Sequence, residues 1–91
     1  MKIKTGKIYT LDFPKTIWQS YHCDSKAIDN WKLTGIVSSI DDGEMFLVLK
    51  KVILKSKNLD RILLYIVCCN RPAIGWIFVD AAMDRVAEER K

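Results

Sequence analysis

The chain has 91 residues, room for one domain and one core, and a chain this short buries only about 60–65% of the surface that its unfolded form exposes. Hydrophobic residues make up 49% and aromatic residues 10%, which excludes global disorder, while a net charge of +4 permits attraction to anionic partners without demanding it. The longest apolar run, Ile62 to Cys69, is too short to cross a bilayer, so no membrane role is expected.

Residues 1–12, MKIKTGKIYTLD, alternate in character and predict a strand over Lys7 to Asp12. They hold no apolar stretch of the kind a secretion signal needs. Phe13-Pro14 ends the strand, because proline has no backbone donor for a sheet ladder. Residues 14–30, PKTIWQSYHCDSKAIDN, are rich in turn and cap formers and read as a long irregular loop with at most one helical turn around Thr16 to Tyr21. Residues 31–54, WKLTGIVSSIDDGEMFLVLKKVIL, read as two strands joined in a hairpin by Asp41-Asp42-Gly43. From Glu44 to Leu49 both parities are apolar, so both faces of that strand meet something. The lysine pair at 50–51 predicts a bulge or bend.

A polar turn follows at 55–60, then an apolar strand over Arg61 to Cys69, a turn at Asn70-Arg71-Pro72 and a strand over Ile74 to Val79. Gly75 inside the last strand marks a bend or a close backbone approach. Trp76 is assigned to the core. The terminal DAAMDRVAEERK has a cap at Asp80 and good helix formers, and predicts a short helix. The competing reading is a tight turn over Asp80 to Asp84 and a last strand over Arg85 to Glu88.

No catalytic set is expected. His22-Cys23-Asp24 is the one cluster of suitable residue types, but three consecutive residues of an extended segment point alternately to opposite sides and cannot converge. Cys68 and Cys69 are adjacent, so they face opposite sides of a strand and make a poor metal pair; neither a metal nor another cofactor is expected. Three cysteines, an odd number, argue against a disulfide framework and for a reducing cytoplasm.

Two surfaces stand out. Trp18, Tyr21, His22 and Trp31, with Arg71 beside the Pro72 turn, are candidate contacts to another protein, since aromatic and arginine side chains anchor interfaces. Lys50, Lys51, Lys55, Lys57 and Arg61 form a basic stretch opposed by Asp60 and are candidate contacts to nucleic acid. The bland alternative for these cations is protection of a strand edge. Apolar residues on both faces of the strands also raise a homo-oligomer.

The segment LTGIVSSIDDGEMFLVL at 33–49 resembles bacterial SH3-like and KOW-type domains, in which a strand with glycine before a β-branched pair leads through an Asp/Gly turn into a return strand. The segment GWIFVDAAMDRV at 75–86 is similar to the ending of such barrels, where a strand runs into a 3₁₀ turn and a short final strand. Together these cover about a third of the chain. The strands at 44–54 and 61–69 are longer than such barrels have, and the terminal segment looks more helical. The resemblance implies an all-β fold, a small SH3-like antiparallel barrel of about five strands with a short C-terminal helix. The alternative is an α+β fold, one antiparallel sheet with a helix packed across it. It also implies a single domain that binds rather than catalyses, although fold alone does not fix function.

Overall fold

Runs rich in β-branched, aliphatic and aromatic residues give the strands over 31–40, 46–54, 61–68 and 74–80. The computed structural model describes residues 3–11, 13–23, 31–54, 61–80 and 88–90. They form seven strands: β1 (Ile8–Thr10), β2 (Lys15–Cys23), β3 (Trp31–Ile40), β4 (Phe46–Leu54), β5 (Arg61–Cys68), β6 (Ile74–Asp80) and β7 (Glu88–Arg90). All belong to one antiparallel sheet in the order β3-β2-β6-β5-β4-β1-β7. The all-β expectation holds at this level. The sheet is not closed: β3 and β7 are its two edges among the described residues.

Four expectations need correction. The segment read as an irregular loop from residue 14 is a nine-residue strand over Lys15–Cys23. Its pairing with β3 runs from Lys15↔Ile40 to Cys23↔Trp31 and overrides the weak local propensity; residues 24–30 lie outside the described ones. The strands flanking Asp41-Asp42-Gly43 are not hairpin partners: β3 pairs with β2, and β4 with β5 and β1. The expected terminal helix gives way to strand at Glu88–Arg90, which pairs with β1, while residues 81–87 are outside the described ones. Seven strands replace the expected five.

The connection from β3 to β4 shows how strongly the sheet curls. Three strands separate them in the sheet. On a flat sheet that gap is about 19 Å. Residues 41–45 cannot span it, because they are folded into a turn: the Glu44 amide donates to the Asp41 carbonyl at 3.1 Å, and Gly43 supplies φ 75°. The link from β1 to β2 covers the same gap, and the Gly43 amide donates to the Leu11 carbonyl at 2.8 Å. Both connections therefore cross the same end of a curled sheet.

The concave side holds the core. Ile62, Leu64, Ile66 and Cys68 of β5 point inward with Phe46 and Val48 of β4 and Ile77 and Val79 of β6. Ile3, Tyr9, Leu11, Ile17, Ile40 and Ala73 complete it among the described residues. Gly75 is required here by close approach: a Cβ on it would meet the Trp18 carbonyl oxygen at 2.5 Å and Ile17 Cγ2 at 2.6 Å. The sequence reading of Gly75 as a close backbone approach is correct.

The expected bulge near the lysine pair is also present. The β4–β5 register shifts between Val48 and Lys50, leaving Leu49 as the extra residue. The N-terminal segment straps this point. The Gly6 amide donates to the Val48 carbonyl, the Val48 amide to the Lys7 carbonyl, and Lys51 Nζ to the Ile3 carbonyl at 2.8 Å.

Candidate interaction surface

Because side chains alternate along a strand, the same register that builds the core fixes a second set of residues on the convex side of β4, β5 and β6. Four rungs cross the three strands: Leu47–Val67–Ile74, Lys50–Tyr65–Trp76, Val52–Leu63–Phe78 and Leu54–Arg61–Asp80. The Leu49 bulge makes this possible in β4. It reverses the parity, so that Leu47 before it and Lys50, Val52 and Leu54 after it all fall on the outer side. Eight of the described side chains in these rungs are apolar or aromatic besides the fully buried Leu63, and Ile74 is 43% exposed. A two-faced apolar sheet of this kind is unusual for an antiparallel fold, whose outer face is ordinarily polar.

The second rung is aromatic. The Trp76 ring packs against Tyr65 with centroids 5.0 Å apart and 47° between planes. On its other side Tyr21 meets it edge-on, at 4.6 Å and 72°. Lys50 Nζ stands over the Tyr65 ring, 5.9 Å from its centroid. Edge-to-face and tilted pairs suit the ring quadrupoles and contribute about 0.5–1.5 kcal/mol each beyond burial. A cation over an exposed ring adds about 0.5–1 kcal/mol. At the neighbouring rung Lys15 Nζ stands 5.2 Å from the Phe78 centroid and 5.6 Å from that of Phe13. The result is a fixed, half-exposed row from Tyr21 to Lys50 across four strands.

The sequence candidates divide. Tyr21 and Lys50 are members of this row. Trp18 is half-buried on β2 and is the Cα partner of Trp76 and of Ile36. His22 is exposed on β2 opposite Lys32. Trp31 pairs with Cys23 through its backbone at the start of β3. Lys51 is committed to the Ile3 carbonyl, and Lys55 and Lys57 lie outside the described residues. Arg61 is exposed at the start of β5. Trp76, expected in the core, is half-buried on the outer face instead, because Gly75 and Ile77 take the inward positions of β6. Tyr65 and Trp76 were not legible as a pair, since their register depends on the whole β5–β6 alignment.

Arg71 belongs to a different arrangement. Its Nε and Nη2 donate to the Glu44 carboxylate at 2.7 and 2.9 Å, its Nη1 to Ser38 Oγ at 2.9 Å, and its Nη2 to the Ser39 carbonyl. The guanidinium thus ties the end of β3 to the turn before β4, across the end of the curled sheet. The hydrogen bonds from Arg71 hold the Glu44 carboxyl well below its usual range, at about 2, with the Asp41 amide assisting. The same bond raises the Arg71 pKa. Burial pushes the Cys68 thiol up, and the nearby Glu44 carboxylate adds to this. With its donors spent internally, Arg71 acts as a clamp of the fold.

No group of His, Cys, Asp and Glu that could hold a metal ion occurs among the described residues. No helix among them is long and apolar enough to cross a membrane. No protein-family model, curated protein or solved structure matches the chain.

Proposed function

We propose that this protein is a non-catalytic binding module, an open SH3-like barrel whose convex β4–β5–β6 face docks on another protein in a regulatory role. The observation that carries this reading is the outer face itself: aliphatic rungs flank a preassembled Tyr21–Trp76–Tyr65 row, and Ile74 remains 43% exposed. Contiguous exposed apolar surface on a folded domain marks a partner site, and aromatic anchors with few rotatable bonds lose little entropy when they dock. The strong curl, together with the two connections crossing one end, supports the barrel. Free thiols at Cys68 and Cys69 favour a reducing cytoplasm.

The test is retention of partners from native lysate by immobilised protein. The wild type is expected to retain at least one protein that Ile74→Asp loses and that Val37→Asp, an equally exposed apolar site on β3, keeps. Equal retention by all three would remove the outer face from the account.

A second reading, binding of single-stranded nucleic acid, draws on Lys50 standing over Tyr65 beside Trp76. It predicts a gel shift with generic single-stranded DNA or RNA that weakens steeply as salt rises.

A further inference from the structure

We infer that the β3 edge of the sheet pairs with the β3 edge of a second copy of this chain, making a two-fold dimer through a surface separate from the outer face. The sheet ends on two very different strands. At one end β7 is three residues long, and all three, Glu88, Glu89 and Arg90, are charged. At the other, β3 runs for ten residues, has no further strand beside it among the described residues, and carries one charge, at Lys32. From Leu33 to Ile40 it is uncharged, and at its middle Ile36 is 72% and Val37 47% exposed. Charge along an edge strand is what ordinarily keeps two sheets from joining, and β3 lacks it over most of its length.

The charges at its two ends choose the occupant. Lys32 stands at the start of β3 and Asp41-Asp42 directly after its end, all three exposed. Neither Lys32 nor Asp42 makes an ion pair or side-chain hydrogen bond among the described residues. An antiparallel copy centred on Ile36–Val37 sets Lys32 of each chain against the Asp41-Asp42 turn of the other. The exposed isoleucines and valines then meet at the axis. Such a contact is self-complementary, as a two-fold interface must be. Main-chain hydrogen bonds along the joined edges supply affinity, and the two ion pairs fix direction. A parallel alignment would set lysine against lysine and aspartate against aspartate. The β2–β3 register slips between Ile17 and Trp18, leaving Val37 as an extra residue of β3. A bulge of this kind bends an edge and turns away a flat strand. A second copy brings the same bulge to the same point of the axis.

The test is sedimentation velocity of the full chain over a wide range of concentration at low salt. The wild type is expected to show a monomer–dimer equilibrium that Val37→Asp abolishes. Lys32→Asp and Asp42→Lys each place like charges at both ends of the contact, and each is expected to weaken the dimer about tenfold. Mixing the two charge variants is expected to restore wild-type affinity, because a heterodimer again sets lysine against aspartate at both ends. All three positions are exposed, so the variants are expected to keep the fold, which circular dichroism checks. A monomer at every concentration overturns the inference. So does a dimer that Val37→Asp and both charge variants leave intact, or a mixture that associates no more tightly than either charge variant alone. A dimer lost on Ile74→Asp but kept by Val37→Asp also overturns it, by placing the second copy on the outer face.

Discussion

The two faces of β4, β5 and β6 are both apolar, yet they do different things. On the inner face Phe46, Val48, Leu64, Ile66, Ile77 and Val79 are fully buried. On the outer face, one residue along each strand, only Leu63 is fully buried, and the row from Lys50 through Tyr65 and Trp76 to Tyr21 is half-exposed. The inner set stabilises the fold through burial and close packing. The outer set is held in place by that fold and stays partly exposed, the surface we propose for a partner. Hydrophobic content therefore does not distinguish the two faces in this chain; the register does.

The largest break in the comparison comes from the inner face. Leu64→Ala removes a fully buried side chain and leaves a cavity, at a cost of about 2–5 kcal/mol. Urea denaturation is expected to show a lowered midpoint, with partner binding retained under conditions where the variant remains folded. Gly75→Ala comes next. Its Cβ would press on the Trp18 carbonyl and Ile17, forcing β2 away from β6, and about 1–3 kcal/mol is expected from the overpacking. Because β2 also delivers Tyr21 to Trp76, this variant is expected to disturb binding as well as stability.

The Arg71–Glu44 clamp gives a smaller effect with a pH signature. Glu44 in the folded protein titrates at about 2, below its ordinary 4.5. Its contribution is fully present above pH 4.5 and is lost as the pH falls toward 2, where the carboxyl takes up a proton. Thermal melts between those limits are expected to fall more steeply for the wild type than for Glu44→Gln. Parallel curves would show that the clamp does not contribute. The outer face should be indifferent to this titration, since the clamp lies at the end of the sheet rather than on its convex side.

The parts of this fold that were legible in the sequence are those in which local chemistry and tertiary pairing agree. The strands β3 to β6, the turn at Gly43, the bulge near Lys50 and the close approach at Gly75 all fall where residue types place them. The misreadings arise where pairing overrides local preference. KTIWQSYHC has the polar and turn-forming residues of a loop, but β3 pairs with it along its length. Asp-Asp-Gly has the chemistry of a hairpin turn, but the curl of the sheet uses it to carry the chain across one end. The terminal EER lies in a stretch of good helix formers, yet at 88–90 it pairs with β1. Of the site, Tyr21 and Lys50 were visible as an aromatic and a cation, but Tyr65 and Trp76 join them only through the β4–β5–β6 register, which no spacing in the sequence encodes.

One substitution made on each face of the same strand tests the central claim most directly. Ile74 and Ile77 are both on β6, the first 43% exposed on the outer face and the second fully buried on the inner. Ile74→Asp is expected to shift the melting temperature by about 4 °C or less, in keeping with a surface change of about 0.5 kcal/mol. Ile77→Asp places an unpaired carboxylate in the core and is expected to abolish cooperative folding at neutral pH. Closely similar, large losses of stability in both variants would contradict the account, because the outer face would then be core.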